Sequence, residues 1–276
     1  MPARSTTSAA YDDVVDLGRY PIHELASTEG EELVARCRAE LADLGACTLA
    51  GFCTAGAVDE MVAIGLALAD KAWVSDQQHT AYFLPVDPSV PETDARARQV
   101  RSAKRGIAYD HLPTDAPMRR LYESDDMTRF VAAVLDKPEL FRSADPLDAL
   151  QVTLFEEGDE LGWHFDNSEF SVTVMYQPAE AGGHFEYVPN LRSADEERYA
   201  DVTAVLAGDV SRLRRLPADP GTLALFRGHH ALHRVTPVEG RRPRINSVLT
   251  YGERPDMRLT DLTSMLFYGR VSPRPS

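Results

Sequence analysis

Three residues have the types and spacing to hold one metal ion. His164 and Asp166 stand two apart in Gly162-Trp163-His164-Phe165-Asp166-Asn167, and His233 stands far downstream in His229-His230-Ala231-Leu232-His233-Arg234-Val235. Side chains alternate along an extended strand, so residues two apart leave from one face and can share an ion, while Phe165 turns into the packing behind. A third imidazole from a distant strand completes a two-histidine, one-carboxylate set. That set leaves one side of an octahedral iron(II) open for a co-substrate and oxygen. The pair alone is a weak signal, since ordinary buried histidines with hydrogen-bonded partners spell the same letters. Its context sharpens it: glycines 158 and 162 mark a turn before the pair, and His233 follows a strand led by Pro220-Gly221-Thr222-Leu223-Ala224-Leu225-Phe226.

A cation for an acidic co-substrate comes next in the chain. Gly240-Arg241-Arg242-Pro243-Arg244-Ile245-Asn246 places arginine at the start of another strand. Its paired N–H groups can take the distal carboxylate of a dicarboxylic molecule whose 2-oxo acid end chelates the metal. Arg244 alternates with Asn246, Val248 and Thr250 on one face and is favoured; Arg242, just before Pro243, is the alternative. A second basic cluster, Arg96, Arg98, Arg101, Lys104 and Arg105, is either a solvated segment or a site for a substrate anion.

Elements must position these groups. Thr28-Glu29-Gly30-Glu31 reads as a capping box ahead of Leu33, Val34, Cys37, Leu41 and Leu44 at helical spacing, with Gly45 as the stop. A short strand is expected over 46–52, and a second amphipathic helix runs from Val58 to a point near Trp73. Residues 77–115 look irregular, broken by Pro85, Pro88, Pro91 and Pro113. A helical stretch over 118–136, interrupted at Ser124, is stopped by Pro138. From residue 149 the pattern changes to short alternating strands, over 150–155, 170–176, 184–188, 222–226, 231–236 and 244–251. Ser193-Ala194-Asp195-Glu196 suggests one inserted helix, and 256–270 a last helix that returns over the site and brings Tyr268 to it. The fold class expected is mainly β with α, a jelly roll covered by N-terminal helices. Residues 1–20 are expected to form a disordered tail and 21–276 a single domain, with helical support over 21–148 and the jelly-roll core over 149–276.

Composition narrows the partners. A formal charge of −14 over 276 residues, with no long basic run, argues against nucleic acid and anionic membranes and leaves a small molecule as the expected partner. Cys37, Cys47 and Cys53 are odd in number and lack a Cys-x-x-Cys spacing, which fits reduced thiols and a cytoplasmic protein. The first ten residues lack the apolar core of a signal peptide.

Together, His164-Phe165-Asp166, Gly182-Gly183-His184-Phe185-Glu186-Tyr187-Val188-Pro189-Asn190, the Pro220-to-Phe226 strand and the His233-to-Arg244 segment resemble the iron(II)- and 2-oxoglutarate-dependent oxygenases. Within them the likeness is to the branch of carrier-independent amino-acid halogenases and related hydroxylases, and it covers residues 149–270 most strongly. The resemblance implies a double-stranded β-helix, iron(II) held by His164, Asp166 and His233, and 2-oxoglutarate and oxygen as co-substrates. Halogenases of the branch carry glycine or alanine where this chain has Asp166, so the implied outcome is hydroxylation of an unactivated C–H bond in a small amino acid or derivative. Desaturation or cyclisation by the same oxidant is the alternative, and a non-catalytic, cupin-like binding protein is the reading from a different class. Arg101 resembles, by its distance from His164, an arginine of the branch that meets the substrate carboxylate. Asn167, Glu169, His184, Asn246, Thr250 and Tyr268 are the further substrate-pocket candidates, and Asp148 is one of several carboxylates placed before the first iron ligand.

Overall fold

A computed structural model describes residues 11–86 and 88–273. The α-helices among these residues are α1 (Thr28–Leu44), α2 (Ala55–Ala67), α3 (Pro117–Glu123), α4 (Asp125–Val134), α5 (Tyr199–Leu206) and α6 (Asp261–Tyr268). The strands of the first half are β1 (Ala46–Leu49), β2 (Trp73–Thr80), β3 (Gln99–Ile107) and β4 (Phe141–Arg142). Those of the middle are β5 (Leu150–Phe155), β6 (Glu160–His164), β7 (Ser171–Gln177), β8 (Ala181–Gly182), β9 (Phe185–Val188) and β10 (Arg214–Arg215). The last are β11 (Leu223–Phe226), β12 (Leu232–Val235), β13 (Val238–Glu239), β14 (Arg244–Leu249) and β15 (Tyr251–Gly252).

One curled sheet runs β1-β11-β7-β14-β5-β3-β6-β12-β9-β10, with β2 added on β3. β3 is the fold line: residues 105–107 pair with β5, and residues 102–103 pair with β6. The two halves of the sheet therefore face each other as a jelly roll, and their inner faces enclose the site.

Period-two alternation decides what each face meets. Leu150, Val152 and Leu154 of β5 and Ile245 and Leu249 of β14 point outward, into a core shared with Cys37, Leu41, Met61, Met118, Phe130 and Val131 of the helices. Full burial of a side chain such as Met61 or Phe130 contributes on the order of 2 kcal/mol. Gln151, Thr153 and Phe155, paired with Val248, Asn246 and Arg244, occupy the opposite, inner face.

Helix boundaries follow local chemistry. Ser27, one residue before the expected cap, accepts from the Gly30 N–H, and Gly45 ends α1 in the left-handed region at φ 70°. Ser124 caps α4 through the amides of Asp126 and Met127, which is why the 118–136 stretch is two helices. The Ser193 capping box starts no helix. α5 begins at Tyr199, after Arg198 in the left-handed region, because the Ser193 N–H is taken by the Glu196 carbonyl in a turn.

Two expectations need correction. Residues 11–20 are not a loose tail: Tyr11, Val14, Val15 and Tyr20 are buried in the main core, while residues 1–10 lie outside the described residues. The 77–115 region is not irregular throughout. It contains the second half of β2 and all of β3, the two strands pairing from Trp73↔Gly106 to Thr80↔Gln99. Both strands are polar on the face that lines the cavity, so no hydrophobic alternation marks them. β1, β2 and β3 thus carry the helical N-terminal half into the sheet of the jelly roll. The three cysteines are free and buried, and among the described residues no helix is long and apolar enough to cross a membrane.

Candidate metal centre and substrate pocket

His164 ends β6 directly opposite His233 of β12, while Leu161 pairs with Val235. The irregularity between those pairs gives β6 one extra residue, which puts Leu161 and His164 on the same inner face. Asp166 follows the strand, fixed by its N–H to the Gly228 carbonyl at 3.0 Å. Phe165 turns away and is buried against Tyr82, with the Arg192 guanidinium 4.2 Å from its ring.

The three side chains converge. Asp166 Oδ1 lies 3.5 Å from His164 Nε2 and 3.4 Å from His233 Nε2. All three ligand atoms fall within 4.8 Å of one another. Each imidazole donates Nδ1–H to the carbonyl two residues earlier, His164 to Gly162 at 2.8 Å and His233 to Ala231 at 2.9 Å. Those bonds fix the tautomer and leave each Nε2 lone pair aimed at the common centre, as metal-ligating histidines require. Burial and the adjacent His233 lower the His164 pKa to about 4, so it stays neutral, the form that binds metal. Burial opposes ionisation of Asp166, yet the facing His233 and His164 hold its carboxyl well below the usual range. Phe185, stacked 5.4 Å from His233, and Phe226, edge-on at 4.8 Å, wall the centre on one side. Phe83 and His79 pack against His164 on the other.

Asp166 is held as closely as the histidines are. Ser171 Oγ donates to its Oδ2 at 2.6 Å. Gly228 leaves the space it occupies: a Cβ there would stand 1.9 Å from Oδ2 and 2.6 Å from Cγ. Gly228→Ala is therefore expected to push the carboxylate off the centre and lower iron(II) affinity about 10- to 100-fold, the range for disturbed ligand support. Metal titration of purified protein, with circular dichroism as the fold control, measures this; unchanged affinity would show that Asp166 need not hold its present place.

Arg244 begins β14 on the inner face, 5 % exposed, 5.3 Å from the Phe155 ring. It donates to Asn246 Oδ1, has no carboxylate partner among the described residues, and leaves its buried Nε without an acceptor. Burial lowers its pKa to about 10, so the charge remains at neutral pH. A buried, uncompensated guanidinium is expensive unless an anion joins it. A co-substrate carboxylate fits that need. Arg242, by contrast, is exposed; its guanidinium donates to the Ala179 carbonyl and its backbone N–H to the Glu180 carboxylate.

The remaining candidates divide. Tyr268 is buried and donates to Asp148 Oδ1 at 2.7 Å, and Thr250 also bonds Asp148. Burial raises the Asp148 pKa to about 6, against the lowering effect of the Tyr268 bond. Asn246 braces Arg244. Arg101 projects from the outer face of β3, held by Asp76 at 2.9 Å and by the Gly158 carbonyl. His184 is exposed on the outer parity of β9, and Asn167 is exposed in the turn after Asp166. Sequence reasoning left Lys104 within a basic cluster and passed over the His79–Ser102 pair as lining of the inner face. They lie on β3 and β2, where neither face is apolar enough to mark a strand.

Comparison with known proteins agrees with this architecture. The halogenase D family model matches residues 31–265. A 2OG-Fe(II) oxygenase family oxidoreductase from Burkholderia pseudomallei shares 18% identity, with a TM-score of 0.50 over 80% of this chain and 91% of that one. A prolyl hydroxylase from Trichoplax adhaerens, in complex with a hypoxia inducible factor peptide, shares 13% identity, with a TM-score of 0.52 over 79% and 89%. The epimerase SnoN in complex with Fe3+, alpha ketoglutarate and nogalamycin RO shares 19% identity, with a TM-score of 0.53 over 80% and 84%. At these identities the structures establish a shared fold. No curated protein matches the chain. A family named for halide transfer thus includes a chain whose metal site has a full complement of two imidazoles and a carboxylate: this protein belongs to the halogenase D family, and its cofactors are those of the iron(II)- and 2-oxoglutarate-dependent oxygenases.

Proposed function

We propose that this protein is a dioxygenase that hydroxylates an unactivated C–H bond of a small amino acid or amino-acid-derived metabolite. The observation that carries the reading is the Asp166 carboxylate, 3.5 and 3.4 Å from the two histidine nitrogens. It fills the position that halogenases of the branch leave open for halide. When bound, iron(II) with 2-oxoglutarate and oxygen supplies the oxidant that removes hydrogen from a C–H bond, while 2-oxoglutarate becomes succinate and carbon dioxide.

The chain's residues do the rest. His164, Asp166 and His233 hold the metal by one side, and their backbone and Ser171 bonds keep them oriented. Arg244, braced by Asn246, takes the distal carboxylate of 2-oxoglutarate and so fixes which end reaches the metal. Thr250 and Tyr268 shape the far end of the pocket around Asp148. Phe185, Phe226 and Phe83 limit water around the ligands.

The test has two stages. Anaerobic protein given iron(II) and 2-oxoglutarate is expected to show the weak visible band of a chelated 2-oxo acid. With oxygen, a panel of free amino acids is then scored for substrate-dependent succinate and for product mass. One added oxygen atom is the expected product; a chlorinated product in chloride buffer, or one short of two hydrogens, would overturn the hydroxylase reading.

A further inference from the structure

The inner face carries a second cation that neither metal nor co-substrate uses. Lys104 lies in β3 between two residues whose contacts show which way that face looks. Ser102 Oγ bonds His79 and the Gly162 N–H, and a Cβ on Gly106 would meet Gln151 Nε2 at 2.8 Å. Lys104, two residues from each, projects the same way. Its ammonium donates to Gln151 Oε1 at 3.3 Å and stands 5.3 Å from the centre of the Phe267 ring.

Its neighbours on the strand differ in one respect. Arg101 and Arg105 face out and are paired, with Asp76 at 2.9 Å and Glu156 at 2.8 Å. Lys104 faces in, and among the described residues no carboxylate forms an ion pair with it. Asp148 and Asp166 act on its charge only from a distance. Asp148 accepts from Tyr268, and Asp166 is turned to the histidines and Ser171. An ammonium has three donors, and withdrawing it from water with one long bond is costly. The site therefore holds two cations without a carboxylate contact, Arg244 and Lys104, and the proposed reaction brings two organic ligands. The co-substrate's distal carboxylate answers Arg244.

We propose that Lys104 anchors a carboxylate of the substrate, and so restricts the pocket to carboxylate-bearing small molecules. This assignment rests on the reading of the site as a small-molecule oxygenase. It gives to Lys104 the role that spacing alone suggested for Arg101, whose guanidinium faces Asp76 on the outer surface.

The experiment uses the full chain with iron(II) and 2-oxoglutarate under nitrogen. Free amino acids are tested beside their decarboxylated amines, and binding is read as perturbation of the visible band. The acids are expected to bind and the amines to bind at least about 30-fold more weakly, the range for loss of a charged hydrogen bond. Lys104→Met is expected to weaken acid binding by a similar factor, with 2-oxoglutarate affinity and thermal midpoint unchanged and partial recovery in Lys104→Arg. If Lys104 served only to neutralise Asp148, adding Asp148→Asn to Lys104→Met would restore acid binding; no restoration is expected. Equal binding of amines, binding of no acid in the panel, a Lys104→Met affinity within threefold of the parent, or restoration in the double variant would each overturn the assignment. A chlorinated or desaturated product with the acid requirement intact removes the hydroxylase reading and leaves Lys104 in place. A hydroxylated product from Lys104→Met at unaltered affinity does the reverse.

Discussion

Asp166→Ala is expected to abolish substrate hydroxylation, with kcat/KM lower by at least about 1,000-fold. Disturbing groups that merely support a ligand already costs about 10- to 100-fold in affinity or activity, and this substitution removes the ligand itself. Two imidazoles remain, His164 and His233, each still held by its Nδ1 bond to a backbone carbonyl. Ser171 loses its acceptor, and the space opposite Gly228 opens. The fold should persist, since Asp166 lies outside the hydrophobic clusters and its backbone bond to Gly228 does not depend on the side chain. Iron titration and substrate-coupled succinate release make the measurement. Near-normal turnover by this variant would remove Asp166 from the ligand set. Ser171→Ala provides the graded comparison, with a loss of about tenfold expected because the carboxylate stays and loses one bond.

Arg244→Met should raise the KM for 2-oxoglutarate by about 100-fold, about 2.8 kcal/mol at 1.4 kcal/mol per factor of ten. The guanidinium donates to Asn246, and its buried Nε has no acceptor among the described residues, so its bonding capacity remains to be used. Arg244→Lys should recover only part of the loss, because an ammonium lacks the planar fork that meets a carboxylate in two places. Removing a buried charge that lacks an ionic partner is not expected to lower the thermal midpoint. That separates a ligand role from a structural one. A large drop in midpoint with an unchanged KM would make Arg244 part of the scaffold. Arg242→Met is the control, and its KM should match the parent's, because its side chain is exposed and spent on the Ala179 carbonyl.

The uneven legibility of this chain has a physical cause. Strands that separate an apolar layer from a cavity write an alternating pattern, so β5 and β14 could be read with their inward and outward residues in the right order. β2 and β3 line the polar cavity and carry charged residues outside, so neither face is apolar enough to mark a strand. Misreading that region left Lys104 as one member of a basic cluster, and only pairing with β5 and β6 separates it from Arg101 and Arg105. Residues 11–20 look like a polar tail because their four core residues are scattered among aspartates. Their burial depends on the 50–54 segment, which bonds Val14, Asp16 and Tyr20, and on α4, whose Asp126 accepts from Tyr11.

By itself the sequence determined the three residues that converge on the metal, the strand alternation behind them and the capped helices that cover the sheet. Those are local patterns, set by spacing along the chain. It also placed aspartate at position 166, the residue on which the proposed hydroxylase reading rests. The tertiary structure alone decided which cations face the site. Arg242 stands before β14 and Arg244 begins it, while Lys104 is one residue from Arg105 and three from Arg101, so side-chain direction there depends on where a strand begins and which strands flank it. Register is a property of pairing partners distant in sequence, so the pocket that meets the substrate came into view only with the sheet closed around it.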